Sequence, residues 1–316
     1  MGGLKRRVLK FGGTSVGTAE ALRKALDIAQ RAARERPLVV VVSALSGVTN
    51  ALEAALAGAA ASRLDVPGFA AAIASRHLAL LATVARGQPA RSAASAIRER
   101  TAELEERLRA VAGRGTIAPA TRAAFLALGE RLSVPIVAAA LRTCGIEAHP
   151  VDAASLLRTD EAFDEATVDP LATRRLARAA LASLAPGTVP VVTGFLGATG
   201  AGETTLLGRG GSDLTAAVLG RALDAERVEI WSDVDGVMTA DPRRSADART
   251  LPRLSYAEAA AMARAGAKVL HPRTLEPLEE AGIPLFVGNT LRPEGPGTWI
   301  GGSPGTEDAE EDGTAA

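Results

Sequence analysis

The sequence predicts an α/β protein built on a parallel sheet. Residues 38–42 and 188–193 are short, valine-rich apolar runs, the pattern of strands buried on both faces. Residues 8–19 and 38–50 each pass from a strand, through a glycine-rich or polar turn, into a helical period. Two such units within about 50 residues favour parallel strands whose ligands gather at their carboxyl ends.

Composition narrows the class of protein. The 316 residues carry 36 basic and 36 acidic side chains and only 3% aromatic residues. We therefore expect no nucleic-acid partner, which needs a basic patch or a stacking platform. We also expect no membrane contact and a cytoplasmic location, because we find neither a long uninterrupted apolar run nor a signal peptide. The single cysteine, Cys144, is expected to be buried in a helix.

The first candidate site follows the first strand. Lys10 and Phe11 precede a glycine pair, Gly12 and Gly13, and a helix is predicted to begin near residue 18. Glycines let backbone N–H groups approach a phosphate, and the lysine adds a full positive charge. The pattern favours anion binding, with a tight turn and a solvated lysine as the alternative.

The second candidate site follows the strand 38–42. Its polar side chains, Ser43, Ser46, Thr49 and Asn50, are predicted to lie at the carboxyl edge of the sheet. Helix capping is the alternative, and for any one of them it is the more common role.

A mostly helical region is predicted from residue 51 to about residue 145, with breaks at 67–68, 87–89 and 113–115. Within it, Glu130 and Arg131 interrupt an otherwise apolar helix. A surface ion pair is the default interpretation, and a carboxylate that holds a substrate ammonium is the alternative. A short strand is predicted at 145–151.

A second glycine-rich helix start follows a predicted hairpin at 200–207. It consists of Gly208, Arg209, Gly210, Gly211, Ser212 and Asp213. The planar guanidinium of the arginine suits a carboxylate or a phosphoryl group. Helix capping is the alternative for the serine and the aspartate.

The last third of the chain adds an aspartate-rich turn after the strand 227–231. Asp233, Asp235 and Asp241 suggest either a cation site or a loop around a base and ribose, with Arg243 near a phosphate. A helix is predicted at 256–266 and a final strand at 284–288. Lys268 lies among small residues, and His271 is interpreted as a capping or core histidine.

Most of these candidate residues are basic side chains or glycines in turns. The chain contains no Gly-x-x-x-x-Gly-Lys-Ser/Thr phosphate loop, and its three histidines fit no serine–histidine–aspartate arrangement. Such a set suits phosphoryl transfer, in which positioning and charge neutralisation do most of the catalysis.

Seven motifs resemble those of aspartate kinases, and they occur in the same order. They are Lys10 to Val16, Ser43 to Asn50, Gly129 to Arg131, Gly194 with Phe195, Thr205 to Asp213, Asp233 to Arg243, and Lys268 to Pro272. Together the motifs extend the resemblance over about residues 7–302.

The resemblance implies a three-layer αβα sandwich with a mostly parallel central sheet, the amino-acid kinase fold. Residues 1–302 would form the catalytic domain, with an amino-acid lobe at about 1–186 and a nucleotide lobe at about 187–302. Residues 303–316 hold five acidic residues and no large apolar one, and we expect a disordered tail.

The implied reaction is transfer of the ATP γ-phosphoryl group to the β-carboxylate of L-aspartate, which gives 4-phospho-L-aspartate, the first step towards lysine, threonine and methionine. Mg²⁺ would be carried mainly by the ATP phosphates, and no protein metal ligand is assigned. The resemblance also suggests a homodimer and allows a separate regulatory subunit. Related kinases that act on an aspartate analogue or another small carboxylate, and a non-catalytic regulatory subunit, are the alternatives.

The resemblance also assigns roles to residues. The catalytic residues would be Lys10, Arg209, Asp213 and Lys268. Aspartate would be bound by Ser43, Thr49, Glu130, Phe195, Arg209, Gly211 and Ser212. The nucleotide would be bound by Lys10, Phe11, Gly12, Gly13, Ser232, Asp233, Met238, Arg243, Lys268 and Val269.

Two departures from the family follow. Met238 stands where many relatives carry tyrosine, so the adenine would pack against a thioether. The resemblance ends near Gly302, where many aspartate kinases continue into effector-binding ACT domains. We therefore expect no inhibition of this chain alone by lysine or threonine.

Overall fold

A computed structural model describes residues 4–240, 247–265 and 270–302. Its strands are β1 (Arg7–Phe11), β2 (Leu38–Val42), β3 (Ala148–Val151), β4 (Val189–Thr193), β5 (Leu196–Ala198), β6 (Thr204–Leu206), β7 (Arg227–Ser232), β8 (Arg253–Leu254), β9 (Leu285–Asn289) and β10 (Thr298–Ile300). β5 and β6 form a separate antiparallel hairpin, whose first strand precedes the hairpin predicted at 200–207.

The other eight strands form one sheet in the order β3-β4-β2-β1-β7-β9-β10-β8. β10 runs antiparallel to β9, and the other neighbours pair in parallel. The predicted mostly parallel sheet is therefore confirmed. β1 lies inside the sheet, paired with β2 on one side and β7 on the other, and every residue of β1 and β2 is buried.

Helices cover both faces of the sheet. They are α1 (Gly13–Val16), α2 (Ala19–Glu35), α3 (Val48–Ala60), α4 (Val66–Val84), α5 (Gly87–Val111), α6 (Pro119–Leu126), α7 (Leu128–Thr143), α8 (Pro170–Ala182), α9 (Gly211–Ala222), α10 (Tyr256–Arg264) and α11 (Pro272–Glu279). α2 contacts β1, β2 and α7, and α7 contacts β2, β3 and β4. α9 contacts β1, β2 and β7, and it is backed by α8 and α11.

The topology brings separated turns to one edge of the sheet. β1, β2, β4 and β7 are parallel neighbours, so the turns that follow them meet at their carboxyl ends. From β1 the chain moves first to β2 on one side and later to β7 on the other. Ligands of open α/β sheets bind at such a reversal of direction.

Some local predictions fail. Cys144, predicted to be buried, is exposed at the carboxyl end of α7, where the helix has already reached the surface. β8 and β10 are two and three residues long, and the sequence pattern predicts neither of them. The division into lobes near residue 186 stays a prediction, and β4, which follows it, lies between β3 and β2. The predicted tail, 303–316, lies outside the described residues.

Two helical stretches, Val66–Val84 and Pro119–Thr143, have the length and apolar composition of a membrane span. In Pro119–Thr143, 83% of the most apolar 18-residue segment is buried inside the protein. That burial is what a core helix of a sheet protein requires, since its apolar faces contact the sheet and other helices.

The contact of α9 with the sheet predicts a stability difference between two helical glycines. A Cβ on Gly220 would lie 2.5 Å from Cγ2 of the fully buried Val228, whereas a Cβ on Gly58 in α3 would meet Leu64 at an ordinary 3.6 Å. We expect Gly220→Ala to lower the free energy of unfolding by about 1–3 kcal/mol, because the valine cannot turn away.

Gly58→Ala is the matched control, and its higher helix propensity should leave stability unchanged or raise it by about 0.5–1 kcal/mol. Urea denaturation of the two variants and the wild type measures the difference. Equal midpoints for the two variants would contradict the close packing of α9 on β7.

Candidate active site

A cleft of about 360 Å³ lies at the carboxyl edge of the sheet. The turns after β1, β2 and β4, the start of α7 and the start of α9 enclose it. Its lining residues are Lys10, Gly13, Ser43, Ala44, Leu45, Ser46, Gly47, Thr49, Asn50, Glu130, Phe195, Gly208, Arg209, Gly210, Gly211, Ser212 and Asp213. The predicted amino-acid-binding residues therefore lie in one cleft, together with Lys10.

Glycines occupy the N-cap positions of two of the helices that begin at this cleft. Gly47 caps α3 and Gly210 caps α9, with φ values of 78° and 72°, and neither helix start receives a side-chain cap. The capping role considered for Ser212 and Asp213 is therefore wrong, since both lie inside the first turn of α9. The N–H groups of Val48 and Gly211, the first residues of these helices, donate to the carbonyls of Leu45 and Gly208 at 2.9 and 3.0 Å. The N–H groups that follow them in each first turn receive no side-chain cap and can bind an anion, which the helix dipoles also favour.

The absence of a side chain at Gly13 lets the first turn contact the second. A Cβ there would lie 2.7 Å from the carbonyl oxygen of Ala44, and the Ser46 N–H donates to the Gly13 carbonyl at 3.1 Å. Gly129 plays the same part for α7, because a Cβ on it would come within 2.9 Å of the Ala44 methyl group. Close backbone approach thus closes one wall of the cleft.

Lys10 and Asp213 form the central ion pair of the cleft. The lysine is 7% exposed, and its Nζ lies 2.6 Å from Oδ1 of the aspartate. An ammonium buried in a sheet is costly unless a carboxylate compensates its lost hydration. The pair therefore fixes a positive charge at the end of β1 and ties that strand to the first turn of α9.

Glu130 is a buried carboxylate with one free oxygen. The side chain is 3% exposed, Oε1 accepts a hydrogen bond from the Ala44 N–H at 3.0 Å, and Oε2 has no partner among the described residues. Burial raises the pKa of Glu130 to about 8, although the Ala44 N–H and the charges of Arg131 and Lys10 oppose the rise. A cation placed beside Oε2 would supply the missing partner and favour ionisation.

The interpretation of Glu130 and Arg131 as a surface ion pair is wrong. The Arg131 Nε donates to Oδ2 of Asp152 at 2.7 Å, and its guanidinium also donates to the hydroxyl of Thr204 at 3.1 Å. The two neighbouring residues of α7 therefore point to different partners, which leaves the glutamate for the cleft.

Arg209 lies between two left-handed glycines, Gly208 and Gly210, at the mouth of the cleft. Its side chain is exposed, and it makes no hydrogen bond or ion pair with the residues that the structure describes. A guanidinium that is held by a glycine turn and has no partner among the described residues can bind an anionic ligand bidentately.

Of the predicted nucleotide residues, Lys10 and Gly13 line the cleft, and Phe11, Gly12, Ser232 and Asp233 lie at the neighbouring ends of β1 and β7. The Gly12 N–H donates to the Trp231 carbonyl at 3.1 Å, which joins the first turn to the end of β7. Ser232 and Asp233 follow at that end, and Met238 pairs with Thr250. Phe11 is buried within β1. Arg243, Lys268 and Val269 lie outside the described residues.

The aspartate-rich turn has a structural role at Asp235. Its carboxylate accepts a hydrogen bond from the Asn289 side-chain amide at 2.8 Å and also pairs with Arg292. Within 4–240, 247–265 and 270–302, no group of three or more histidine, cysteine or acidic side chains is placed to hold a metal ion. The cation interpretation of the turn thus gains no support, and Asp241 lies outside the described residues.

His271 has the predicted capping role. It is the N-cap of α11, and its Nδ1 accepts a hydrogen bond from the Arg273 N–H at 3.3 Å. The sequence pattern does not single out Ala44, by contrast, although its N–H holds Glu130. A backbone donor leaves no trace in a side-chain pattern.

The fold and the site define an amino acid kinase. Residues 5–289 match the amino acid kinase family, and the chain belongs to this family. The relatives that it resembles are aspartokinases, as the motifs indicate. The lysine-sensitive aspartokinase 3 of Escherichia coli is 37% identical over 297 residues, which cover 93% of this chain and 63% of that protein.

A plant relative and a solved structure that resemble this chain are also aspartokinases. Aspartokinase 1, chloroplastic, of Arabidopsis thaliana is 38% identical over 300 residues, which cover 93% of this chain and 51% of that protein. The structure of E. coli aspartokinase III in complex with aspartate and ADP superposes with a TM-score of 0.82 at 36% identity, over 94% of this chain and 64% of that one. The chain thus spans about half to two thirds of the length of these relatives.

The raised pKa of Glu130 predicts a pH-dependent contribution to stability. In the folded protein the Glu130 carboxyl keeps its proton up to about pH 8. In the unfolded chain the same carboxyl, with the ordinary pKa of 4.5, has already lost it. Stability should therefore fall as the pH rises between these values. Glu130→Gln should reduce the fall by roughly 2–4 kcal/mol, because glutamine does not titrate.

The measurement is the free energy of unfolding in urea at several pH values from about 5 to about 8.5, a range that covers most of the predicted window. Glu106→Gln, on an exposed position of α5, is the control and should follow the wild type. Parallel curves for Glu130→Gln and the wild type would show that the carboxyl is not protonated in the folded protein.

Proposed function

We propose that this chain is an aspartate kinase, which transfers the γ-phosphoryl group of ATP to the β-carboxylate of L-aspartate. One observation carries the proposal: a single cleft presents a buried, half-satisfied carboxylate, Glu130, together with two cations, Lys10 and Arg209. An α-amino dicarboxylate offers the ammonium and the anions that such a set complements. The aspartokinase relatives, one of them solved with aspartate and ADP, support the choice of substrate.

In this proposal the amino acid lies between α7 and α9. Its ammonium binds Oε2 of Glu130, and one of its carboxylates binds the guanidinium of Arg209. The polar wall comes from Ser43, Thr49 and Ser212, and the backbone of Gly211 and the ring of Phe195 complete the enclosure. Ammonium binding converts the glutamate to its ionised form, so the proton that burial retains is released as aspartate binds.

The nucleotide lies on the β7 side of Lys10. Gly12 and Gly13 would receive its phosphates, while Ser232, Asp233 and Met238 would face the ribose and base. Arg243, Lys268 and Val269 complete the proposed nucleotide set on sequence grounds. The uncapped helix starts and the buried lysine fit a polyanion. Mg²⁺, carried mainly by the ATP phosphates, would supply further neutralisation.

The reaction is an in-line displacement at phosphorus. A β-carboxylate oxygen of aspartate forms a bond to the γ-phosphorus as the bond from that phosphorus to the bridging oxygen of ADP breaks. The carboxylate attacks as it stands, so no general base is needed. Lys10 and the N–H groups at the start of α9 stabilise the charge on the transferring group, and Asp213 holds the lysine in place.

The biological setting belongs to the proposal as well. The product, 4-phospho-L-aspartate, would enter the synthesis of lysine, threonine and methionine in the cytoplasm. A homodimer is part of the same proposal, on the strength of the family resemblance, which also allows a separate regulatory subunit.

Trapping with hydroxylamine tests the activity directly, because an acyl phosphate reacts to give a hydroxamate, which forms a coloured complex with iron(III). The protein is incubated with ATP and Mg²⁺ and with aspartate, glutamate, N-acetylglutamate or no acceptor. We expect hydroxamate with aspartate alone. Signal with another acceptor only would reassign the substrate, and no signal with any acceptor would favour a non-catalytic role.

Arg209 should contribute to aspartate binding through a charge-assisted hydrogen bond. Arg209→Gln keeps a polar side chain but loses the charge, so we expect the KM for aspartate to rise at least about tenfold. Arg221→Gln, in the last turn of α9 where the arginine pairs with Glu280, is the matched control and should leave the KM unchanged. Similar KM values for both variants would remove Arg209 from the amino-acid site.

A further inference from the structure

Phe195 has an unusual backbone conformation at the cleft. Its φ is +74°, in the left-handed region that favours glycine, and it is the one non-glycine residue of this kind that lines the described cleft. A bulky residue adopts this conformation only where the surrounding structure holds it. The contacts that hold Phe195 therefore determine the shape of the cleft wall that Phe195 forms.

The hydroxyl of Thr215 makes the central contact. Its Oγ1 accepts a hydrogen bond from the Phe195 N–H at 3.0 Å and donates to the Gly211 carbonyl, one turn earlier in α9, at 2.9 Å. Thr215 is completely buried, so water cannot replace it in the present packing. On the other side, the Phe195 carbonyl accepts from the Leu207 N–H at 2.8 Å.

Close packing locks the same elements together. A Cβ on Gly211 would lie 2.8 Å from Cδ2 of Phe195, and a Cβ on Gly194 would lie 2.6 Å from Cβ of Ser212. The turn after β4 and the first turn of α9 thus fit each other without space for adjustment. The Thr215 hydroxyl is the polar link between them.

We propose that Thr215 is a positioning residue for the amino-acid site. Its hydroxyl holds Phe195 in the left-handed conformation and so places the aromatic wall relative to Ser212. That the ligand of this site is aspartate rests on the function proposed above. Lys10 and Asp213 are held by their own ion pair, so the loss of the hydroxyl acts on aspartate binding more than on ATP binding or turnover.

Thr215→Val tests the proposal, because valine keeps the shape and removes the hydrogen bonds. We expect the KM for aspartate to rise about fivefold, the effect of one buried hydrogen bond, with the KM for ATP and kcat within about twofold of the wild type. Thr215→Ser retains the hydroxyl and should restore the wild-type KM.

Thr101→Val is the matched control. Thr101 is also buried and donates to the carbonyl four residues earlier, that of Ile97, at 3.0 Å, but it lies in α5 and does not line the cleft. This variant should keep the wild-type KM. Equal KM changes in the Thr215 and Thr101 variants, or none in either, would overturn the proposal.

Amide hydrogen exchange gives a readout that does not depend on activity. Exchange at Phe195 should be faster in Thr215→Val than in the wild type, and slow again in Thr215→Ser. If the wild type forms no acyl phosphate, the proposed function fails, while the exchange rates still decide whether Thr215 holds Phe195. Unchanged exchange in Thr215→Val would refute the positioning role.

Discussion

The buried ion pair between Lys10 and Asp213 is the constraint on which the site depends. An ammonium at the end of an internal strand needs a carboxylate within contact distance, and the carboxylate comes from the first turn of α9. The pair therefore fixes where α9 begins relative to β1. The glycine turns around Gly12 and Gly210 are placed on either side of the space where a ligand would lie.

The sheet and the cleft at its carboxyl edge follow from local sequence pattern. The valine run of β2, buried along its whole length, and the strand–turn–helix order around β1 are enough to predict a parallel sheet. The glycines beside Lys10 and Arg209 predict anion sites for a physical reason that the structure retains, namely a glycine turn at a helix start that no side chain caps. The roles of individual side chains toward aspartate and ATP remain predictions.

Other features depend on contacts that a local pattern does not contain. Arg131 pairs with Asp152, which is 21 residues away in sequence. Glu130 therefore does not pair with Arg131, although their adjacency in sequence suggests a surface ion pair. β8 and β10 are strands because of the partners beside them, since two or three residues carry no periodicity of their own. Cys144 lies one residue past the end of α7, where the apolar pattern of the helix no longer reports burial.

The glycine caps at Gly47 and Gly210 have a consequence for mutagenesis. Where the binding groups belong to the main chain, replacing side chains by alanine leaves those groups in place and underestimates their share of the affinity. Chemical replacement of single amides by esters, introduced by semisynthesis, would measure that share. For the same reason, main-chain donors at helix starts can persist through wide sequence divergence while side chains such as Glu130 and Arg209 change.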